Sequence, residues 1–255
     1  MTGVPQFLID HLPTASATVE RPHITLTWAQ SLDSKIAGPG GSRVILSGPE
    51  SMLMTHWMRS MHDSILIGVN TLILDNPRLQ ANLLPPSLNL PPPQPLILDP
   101  KLRFPINSRI LNEWNTKPDQ RGKTLRQPWI ICGDNVSSNR ISEVENAGAR
   151  VIPVKLDKYG YISPSSLPSI LYNLKLKSVM IEGGSKVLST FLHTQSRDDG
   201  SKLIDSMIVT VAPMFIGEGI GFIPQNEDIG LPKLKTVHTE IMGKDAVMIC
   251  QVDLK

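Results

Sequence analysis

Short, uninterrupted apolar runs, separated by longer segments with helix signals, are the feature that most constrains the fold of this chain. The runs lie at 64–69, 96–99, 129–132 and 178–181. Apolar runs of this length are typical of strands buried on both faces of a sheet. Helix signals lie near 138–147, near 164–174 and from Gly184 onward. Because strands that alternate with helices usually pair in parallel, this order predicts an α/β fold, with helices on both faces of a mainly parallel sheet.

The C-terminal third departs from this alternation. Segments 203–211 and 246–252 predict strands with few helix signals between them. Such strands favour an antiparallel edge added to the parallel sheet. Because proteins usually cover an apolar edge, we expect a homodimer built partly from one of these two segments.

The N-terminal third contains one further strand, and its length suggests a simple domain organisation. Segment 23–28 alternates apolar residues with Thr and predicts the first strand. Residues 1–21 are expected to form a variable arm with one short helix around 6–12, and residues 22–255 a single domain.

Local signals predict one helix start and two loops. Ser47, followed by Pro49 and Glu50, predicts a helix with Ser47 as its N-cap. Segment 84–95 is rich in proline and segment 112–127 is polar, so both are expected to be loops.

Composition and charge argue against several classes of protein. The formal net charge is +2, which provides no broad basic field for nucleic acid. The two cysteines and six histidines show no metal-ligand spacing, so we expect no metal site. No apolar run approaches membrane-spanning length, and the N-terminus lacks a secretory pattern. We therefore expect a cytoplasmic protein that does not insert into membranes.

Two polar segments follow predicted strands and are candidates for ligand contact. Asp33 and Lys35 lie just beyond the first strand, at the edge where open α/β sheets bind ligands. Thr71 and Asp75 follow the buried run at 64–69, where a helix start can hold a phosphate or a ribose. The alternative is a solvated turn with a surface ion pair for the first segment, which taken alone explains it better, and ordinary capping and turn formation for the second.

A third candidate is the turn formed by Glu182, Gly183 and Gly184. Two glycines let backbone approach a phosphate closely, and the helix that follows supplies N–H donors. The spacing fits neither a Walker motif nor a GxGxxG fingerprint, and a tight turn with Gly chosen for packing is the alternative. The glycine-rich segment 217–221 is expected to be a flexible connection between edge strands.

Taken together, these segments resemble the riboflavin-pathway reductase family. The resemblance rests on segments 27–35, 61–71, 75–79, 96–99 and 179–184, in that order, and extends over roughly 22–252. It implies a dihydrofolate-reductase-like fold, NADPH as hydride donor, and a homodimer. It also implies a form without a fused deaminase, since the chain lacks the HxE and PCxxC motifs of zinc deaminases.

The resemblance also implies roles for particular residues. Lys35 and Glu182 match positions near the substrate, and Asp33 matches an Asp of the same loop with a structural role. The positions that match cofactor contacts are Thr71, Asp75, Ile162, Gly183, Gly184, Ser185, Lys186 and Val187.

The implied substrate is the small phosphorylated pyrimidine 2,5-diamino-6-ribosylamino-4(3H)-pyrimidinone 5′-phosphate, whose ribosylamino side chain is reduced to the ribitylamino form. Many family members carry a basic residue where this chain has Asn82; if that residue binds the substrate phosphate, Arg78 or another cation must take its place here. Hydride addition to an imine is favoured by a nearby carboxylate, which suggests Glu182 for that role or for holding ribose hydroxyls. Two alternatives remain: a dihydrofolate-reductase-like enzyme acting on another pterin or pyrimidine, and a non-catalytic nucleotide-binding protein.

Overall fold

The computed structural model describes residues 3–12, 17–194, 196–197, 199–221 and 232–253. Within these ranges the chain forms one nine-stranded sheet and seven α-helices. The strands are β1 (His23–Ser31), β2 (Ser64–Gly68), β3 (Gln94–Leu98), β4 (Trp129–Gly133), β5 (Arg150–Val154), β6 (Ser178–Ile181), β7 (Ser206–Ala212), β8 (Lys233–Met242) and β9 (Asp245–Asp253). The helices are α1 (Gln6–His11), α2 (Pro49–Ser60), α3 (Val69–Asp75), α4 (Arg109–Thr116), α5 (Ser138–Asn146), α6 (Leu167–Asn173) and α7 (Ser185–His193).

The sheet is parallel over most of its width. Its strand order is β5-β4-β3-β2-β6-β1-β7-β9-β8. Every pair from β5 to β7 is parallel, whereas β9 runs antiparallel to β7 and β8 antiparallel to β9. The predicted fold class, a mainly parallel sheet with an antiparallel C-terminal edge, is confirmed.

Alternation along the strands builds a core on each face of the sheet. Leu66 and Ile181 point to the face covered by α6 and α7. Their neighbours Ile67 and Met180 point to the opposite face, where α1 to α5 pack. Because successive side chains of a strand face opposite sides, one short apolar run supplies both cores.

The structure corrects three of the predicted elements. Helix α4 occupies the start of 112–127, which was expected to be a loop. β8 was not predicted, and it forms the outer edge, so the prediction that 203–211 or 246–252 is the exposed edge is wrong. The N-cap of α2 is Gly48 and not Ser47.

The N-terminal helix packs on the main body of the chain. Phe7 and Leu8 of α1 are buried in the same apolar cluster as Trp57 of α2. The division into an arm at 1–21 and a domain at 22–255 stays a prediction.

Among the described ranges, each helix is too short or too polar to cross a bilayer.

Candidate functional site

Most of the predicted site residues converge at the carboxyl edge of the central strands. Lys35 follows β1, Glu182 follows β6, and Thr71 lies on α3, directly after β2. Since β2, β6 and β1 are neighbours and run in parallel, their carboxyl ends lie at one edge of the sheet, where open α/β sheets bind ligands. The structure therefore places residues that are far apart in the sequence at the same edge.

The Gly-Gly turn lies against the start of α3 with almost no spare room. The Gly68 N–H donates to the Gly183 carbonyl at 2.8 Å, and the Gly183–Gly184 peptide is cis. A Cβ added to Gly184 would lie 2.7 Å from Thr71 Oγ1. A Cβ added to Gly68 would lie 2.8 Å from Val187 Cγ2. Only bare backbone fits here, and it adjoins the first turn of α7.

The remaining predicted cofactor residues differ in how far they are exposed to solvent. Ser185 begins α7, and Lys186 is exposed on its first turn. Asp75 is exposed at the end of α3. Ile162 is buried in the same apolar cluster as Leu188 of α7. Ile162 therefore faces apolar packing, while Asp75 and Lys186 face solvent.

Glu182 forms a bidentate ion pair with Arg59 of α2, a residue that the sequence did not single out. Arg59 Nε lies 2.7 Å from Glu182 Oε1, and Nη2 lies 2.7 Å from Oε2. Both side chains are largely buried. Burial alone would lower the pKa of Arg59, but the Glu182 carboxylate outweighs it and raises that pKa. Arg59 is therefore a permanent cation against which Glu182 is held.

Arg59 also connects Glu182 to the chain beyond α3. Its Nη1 donates to the Gln80 carbonyl at 2.9 Å and lies 3.5 Å from His56 Nε2. His56 Nδ1 accepts a hydrogen bond from the Leu83 N–H, which leaves the proton of the neutral ring on Nε2. Burial, and then the charge of Arg59, lower the pKa of His56 to about 4. At neutral pH the charges in this group are thus those of Arg59 and Glu182.

Asp33 fastens the loop after β7 to the loop that carries Lys35. Its carboxylate accepts hydrogen bonds from Ser31 Oγ at 2.6 Å, the Gly217 N–H at 2.7 Å and the Ile216 N–H at 3.1 Å. The hydrogen bond from Ser31, followed by that from Gly217, lowers the pKa of Asp33 to about 2. Segment 217–221 was expected to be flexible, yet Ile220 also pairs with Ala37 through backbone hydrogen bonds.

The Lys35 side chain is free to meet a ligand. Its backbone is fixed, because its N–H donates to Ser31 Oγ at 3.0 Å and its carbonyl accepts from the Ser31 N–H at 2.9 Å. Within the part of the chain that the structure describes, its ammonium has no ion-pair partner. The described residues also include no group of three or more His, Cys, Asp or Glu placed to hold a metal ion.

Comparisons with known proteins agree with this architecture. The chain is 34% identical over 253 residues to the 2,5-diamino-6-ribosylamino-4(3H)-pyrimidinone 5′-phosphate reductase of Candida glabrata, covering 96% of this chain and 95% of that one. It is 33% identical over 218 residues to the Saccharomyces cerevisiae protein of the same name, covering 84% and 82%.

Solved structures show the same fold. The riboflavin biosynthesis reductase Rib7 of Saccharomyces cerevisiae superposes with a TM-score of 0.71 at 23% identity, over 98% of this chain and 99% of that one. A pyrimidine reductase-like protein of Corynebacterium diphtheriae gives a TM-score of 0.72 at 19% identity, over 98% of each chain. The model of the RibD C-terminal domain family matches residues 22–248. The chain therefore belongs to the RibD C-terminal domain family.

Proposed function

We propose that this chain reduces the ribosylamino side chain of 2,5-diamino-6-ribosylamino-4(3H)-pyrimidinone 5′-phosphate to the ribitylamino form, with NADPH as hydride donor, in riboflavin biosynthesis. The observation that carries the proposal is the placement of Lys35 after β1, and of Glu182 and the Gly183–Gly184 turn after the neighbouring strand β6, at one edge of the sheet. The identity of about one third to reductases of that name, over nearly the whole chain, supports the same reaction.

The Gly-Gly turn fits the pyrophosphate of a nicotinamide dinucleotide. Gly183 and Gly184 carry no side chain, and bare backbone of this kind can approach a phosphate closely. The first N–H groups of α7, a nine-residue helix, lack intrahelical partners and favour an anion. When bound, the cofactor supplies the hydride that adds to the imine carbon of the ring-opened ribose.

Arg103 supports NADPH over NADH. It lies just past β3, where its Nη2 donates to Asn70 Oδ1 at 2.8 Å, next to Thr71. Its side chain is 50% exposed, and its Nε lies 4.0 Å from buried Asp99. A guanidinium beside the cofactor crevice can form a bidentate contact with the 2′-phosphate that only NADPH carries. Arg103→Gln should therefore raise the Kd for NADPH at least about tenfold and leave the Kd for NADH unchanged.

The Arg59 pair favours one of the two roles considered for Glu182. Each Glu182 oxygen already accepts one N–H, and the Arg59 charge balances the carboxylate. A balanced carboxylate stabilises a cationic imine less than a free one, but its remaining lone pairs can still accept ribose hydroxyls. Glu182 therefore orients the sugar, and Lys35 meets an anionic or carbonyl oxygen of the substrate.

The decisive experiment supplies purified protein with NADPH and the ribosylamino substrate and follows the absorbance of the reduced nicotinamide at about 340 nm. Loss of absorbance with formation of the ribitylamino product is the expected result. Oxidation with dihydrofolate or another pterin, and none with this substrate, would assign a different reaction. Tight NADPH binding with no turnover on any of them would instead indicate a nucleotide-binding protein.

A homodimer and a cytoplasmic location complete the proposal. β8 leaves one long edge unpaired within the described residues, and Ile241 on it is 66% exposed. An exposed apolar edge strand favours pairing with a second copy. Sedimentation should show a dimer at micromolar concentration, and Ile241→Lys should shift it toward monomer. A wild-type monomer under these conditions contradicts the dimer.

A further inference from the structure

Three cations surround one buried carboxylate beside the site. Glu113 of α4, whose side chain is only 12% exposed, accepts hydrogen bonds from Arg78 Nε at 2.9 Å and from Arg109 Nε at 3.2 Å. Lys117 Nζ lies 3.8 Å from the same oxygen. Burial would raise the pKa of Glu113, but the hydrogen bonds it accepts outweigh burial and lower it. Glu113 is therefore ionised at neutral pH, yet it balances only part of the positive charge around it.

The guanidinium groups of this cluster retain free donors. Arg78 and Arg109 contact Glu113 through Nε, and within the described residues their Nη atoms have no hydrogen-bond partner. The side chains of Arg78, Arg109 and Lys117 are 39%, 45% and 41% exposed. Glu113 thus holds each guanidinium through Nε, on a side chain that is partly exposed, and leaves its Nη groups without a partner among the described residues. Paired Nη groups of this kind match the oxygens of a phosphate.

The cluster is joined to the proposed substrate site by a short chain of hydrogen bonds. Gln80 Nε2 donates to Glu113 Oε2 at 3.1 Å, and the Gln80 carbonyl accepts from Arg59, the partner of Glu182. On its other side the Arg109 N–H donates to Asn76 Oδ1 at 2.8 Å, directly after Asp75. One residue, Gln80, therefore separates the cluster from the Arg59–Glu182 pair.

We propose that Arg78 and Arg109, supported by Lys117, bind the phosphate monoester of the substrate. The inference rests on the proposed function, in which Glu182 holds the hydroxyls of the same sugar. A phosphate monoester on the cofactor has the same chemistry. However, the proposed cofactor contacts lie at the Gly-Gly turn and Arg103, whereas the cluster is linked to Glu182 through Arg59 and Gln80. The substrate phosphate is therefore the ligand that this position favours.

The test compares the phosphorylated substrate with its dephosphorylated counterpart in Arg78→Gln and Arg109→Gln. Each variant should raise the KM for the phosphorylated substrate at least about tenfold, as expected for one lost charge-assisted contact, and leave kcat close to the parent value. The KM for the dephosphorylated substrate and the Kd for NADPH should not change. Arg150→Gln, which removes a guanidinium on β5 that stacks on Trp129 of β4, is the matched control and should leave all of these values unchanged.

Glu113→Gln should change the KM for the phosphorylated substrate in the opposite direction. Removing the negative charge of Glu113 leaves the positive charge of the three cations less neutralised, so they should attract a phosphate more strongly. The KM for the phosphorylated substrate should therefore fall, while the KM for the dephosphorylated substrate stays the same. Circular dichroism and the unfolding midpoint establish that this variant is folded. If it does not fold, the two Arg variants decide the question by themselves.

Two results would overturn the subsite. If the KM for the phosphorylated substrate is unchanged in both Arg variants, or rises equally for both substrates, Arg78 and Arg109 do not bind the phosphate. A rise in the Kd for NADPH with no change in substrate KM assigns the phosphate to the cofactor and also overturns the proposal. If the wild type shows no reductase activity, the proposed function fails separately. Calorimetric titration with ribose 5-phosphate then tests the subsite itself, and binding that is equal in the wild type and Arg78→Gln overturns it.

Discussion

At the scale of single residues, Gly184 leaves little room for a side chain. A Cβ at this position would lie 2.7 Å from Thr71 Oγ1, so a larger side chain would displace Thr71, which is itself a proposed cofactor contact. Gly184→Val should therefore raise the Kd for NADPH at least about tenfold, a loss of roughly 1.4 kcal/mol. Because the backbone of Gly184 is extended, with φ −78°, we expect the variant to fold. Calorimetry measures the affinity and circular dichroism the fold; parent-like affinity in a folded variant would remove the Gly-Gly turn from the cofactor site.

Substitutions of Glu182 and of Lys35 should affect kcat and KM differently. Glu182→Gln and Lys35→Met should each lower kcat/KM at least about tenfold, since each loses a charge-assisted contact worth roughly 1.4 kcal/mol, with the Kd for NADPH near the parent value. Because Glu182 orients the sugar that is reduced, its variant should lower kcat more than it raises KM. Lys35 should show the opposite bias, because it anchors the substrate.

A stability measurement checks the Arg59 pair independently of activity. Glu182→Gln leaves the buried Arg59 guanidinium without its counter-charge, which should lower the free energy of unfolding by about 1–3 kcal/mol. Lys35→Met should not lower it, because the Lys35 ammonium has no ion-pair partner among the described residues. Full activity of Glu182→Gln would leave Glu182 as a structural residue of the turn.

The contrast between Glu182 and Arg59 shows which residues a sequence can reveal. Glu182 ends an apolar run and precedes two glycines, so its place at a strand tip was predictable from its neighbours. Arg59 is 123 positions away from it and lies on a helix whose apolar stripe, at Leu53, Trp57 and Met61, indicates only packing. Charge pairs between distant segments leave no local pattern, and the pair between Arg78 and Glu113 is of the same kind.

At the scale of elements, the start of α2 is capped from the far end of the chain. Asp245 Oδ2 accepts hydrogen bonds from the Gly48 N–H at 2.6 Å and from Ser51 Oγ, although Asp245 belongs to β9. Asp245→Ala should lower the free energy of unfolding by about 1–2 kcal/mol, the usual cost of a lost helix cap. Denaturant unfolding measures this cost. Ser47→Ala is the matched control and should have almost no effect; the reverse ranking would restore Ser47 as the cap.

The elements that were predictable are those with a strong apolar period. β2, β3, β4 and β6 are buried almost throughout, so their runs stand out in the sequence. β8 is exposed along most of its length and carries Lys, His and Glu, so it has little apolar pattern to detect. It is ordered by its ladder with β9, which is a tertiary contact and leaves no mark in local composition.

At the scale of the whole molecule, three buried or partly buried histidines make stability depend on pH. Burial lowers the pKa of His23, His56 and His62 to about 4 each, although Asp205 partly offsets it at His23. His62 is the clearest case. Its Nδ1 lies 2.7 Å from the Met58 carbonyl and must donate, so Nε2 accepts the hydrogen bond from Thr25 Oγ1 at 2.8 Å. The folded protein therefore holds His62 neutral.

The sign of the effect follows from the proton count. An unfolded chain takes up a proton on each histidine near pH 6.5, whereas the folded chain does so only near pH 4, so the free energy of unfolding should fall as the pH drops between these values. His62 alone should contribute a loss of about 2 kcal/mol between pH 7 and pH 5. Asp33 has its pKa near 2, so its contribution to stability is lost only below about pH 4, outside the range from pH 7 to pH 5.

Denaturant unfolding at pH 7, 6 and 5 measures how the free energy of unfolding changes with pH. His62→Gln should be less stable at pH 7 but should show a smaller loss toward pH 5. An unchanged free energy of unfolding from pH 7 to pH 5 in the wild type would mean that these histidines take up protons in the folded state as readily as in the unfolded one.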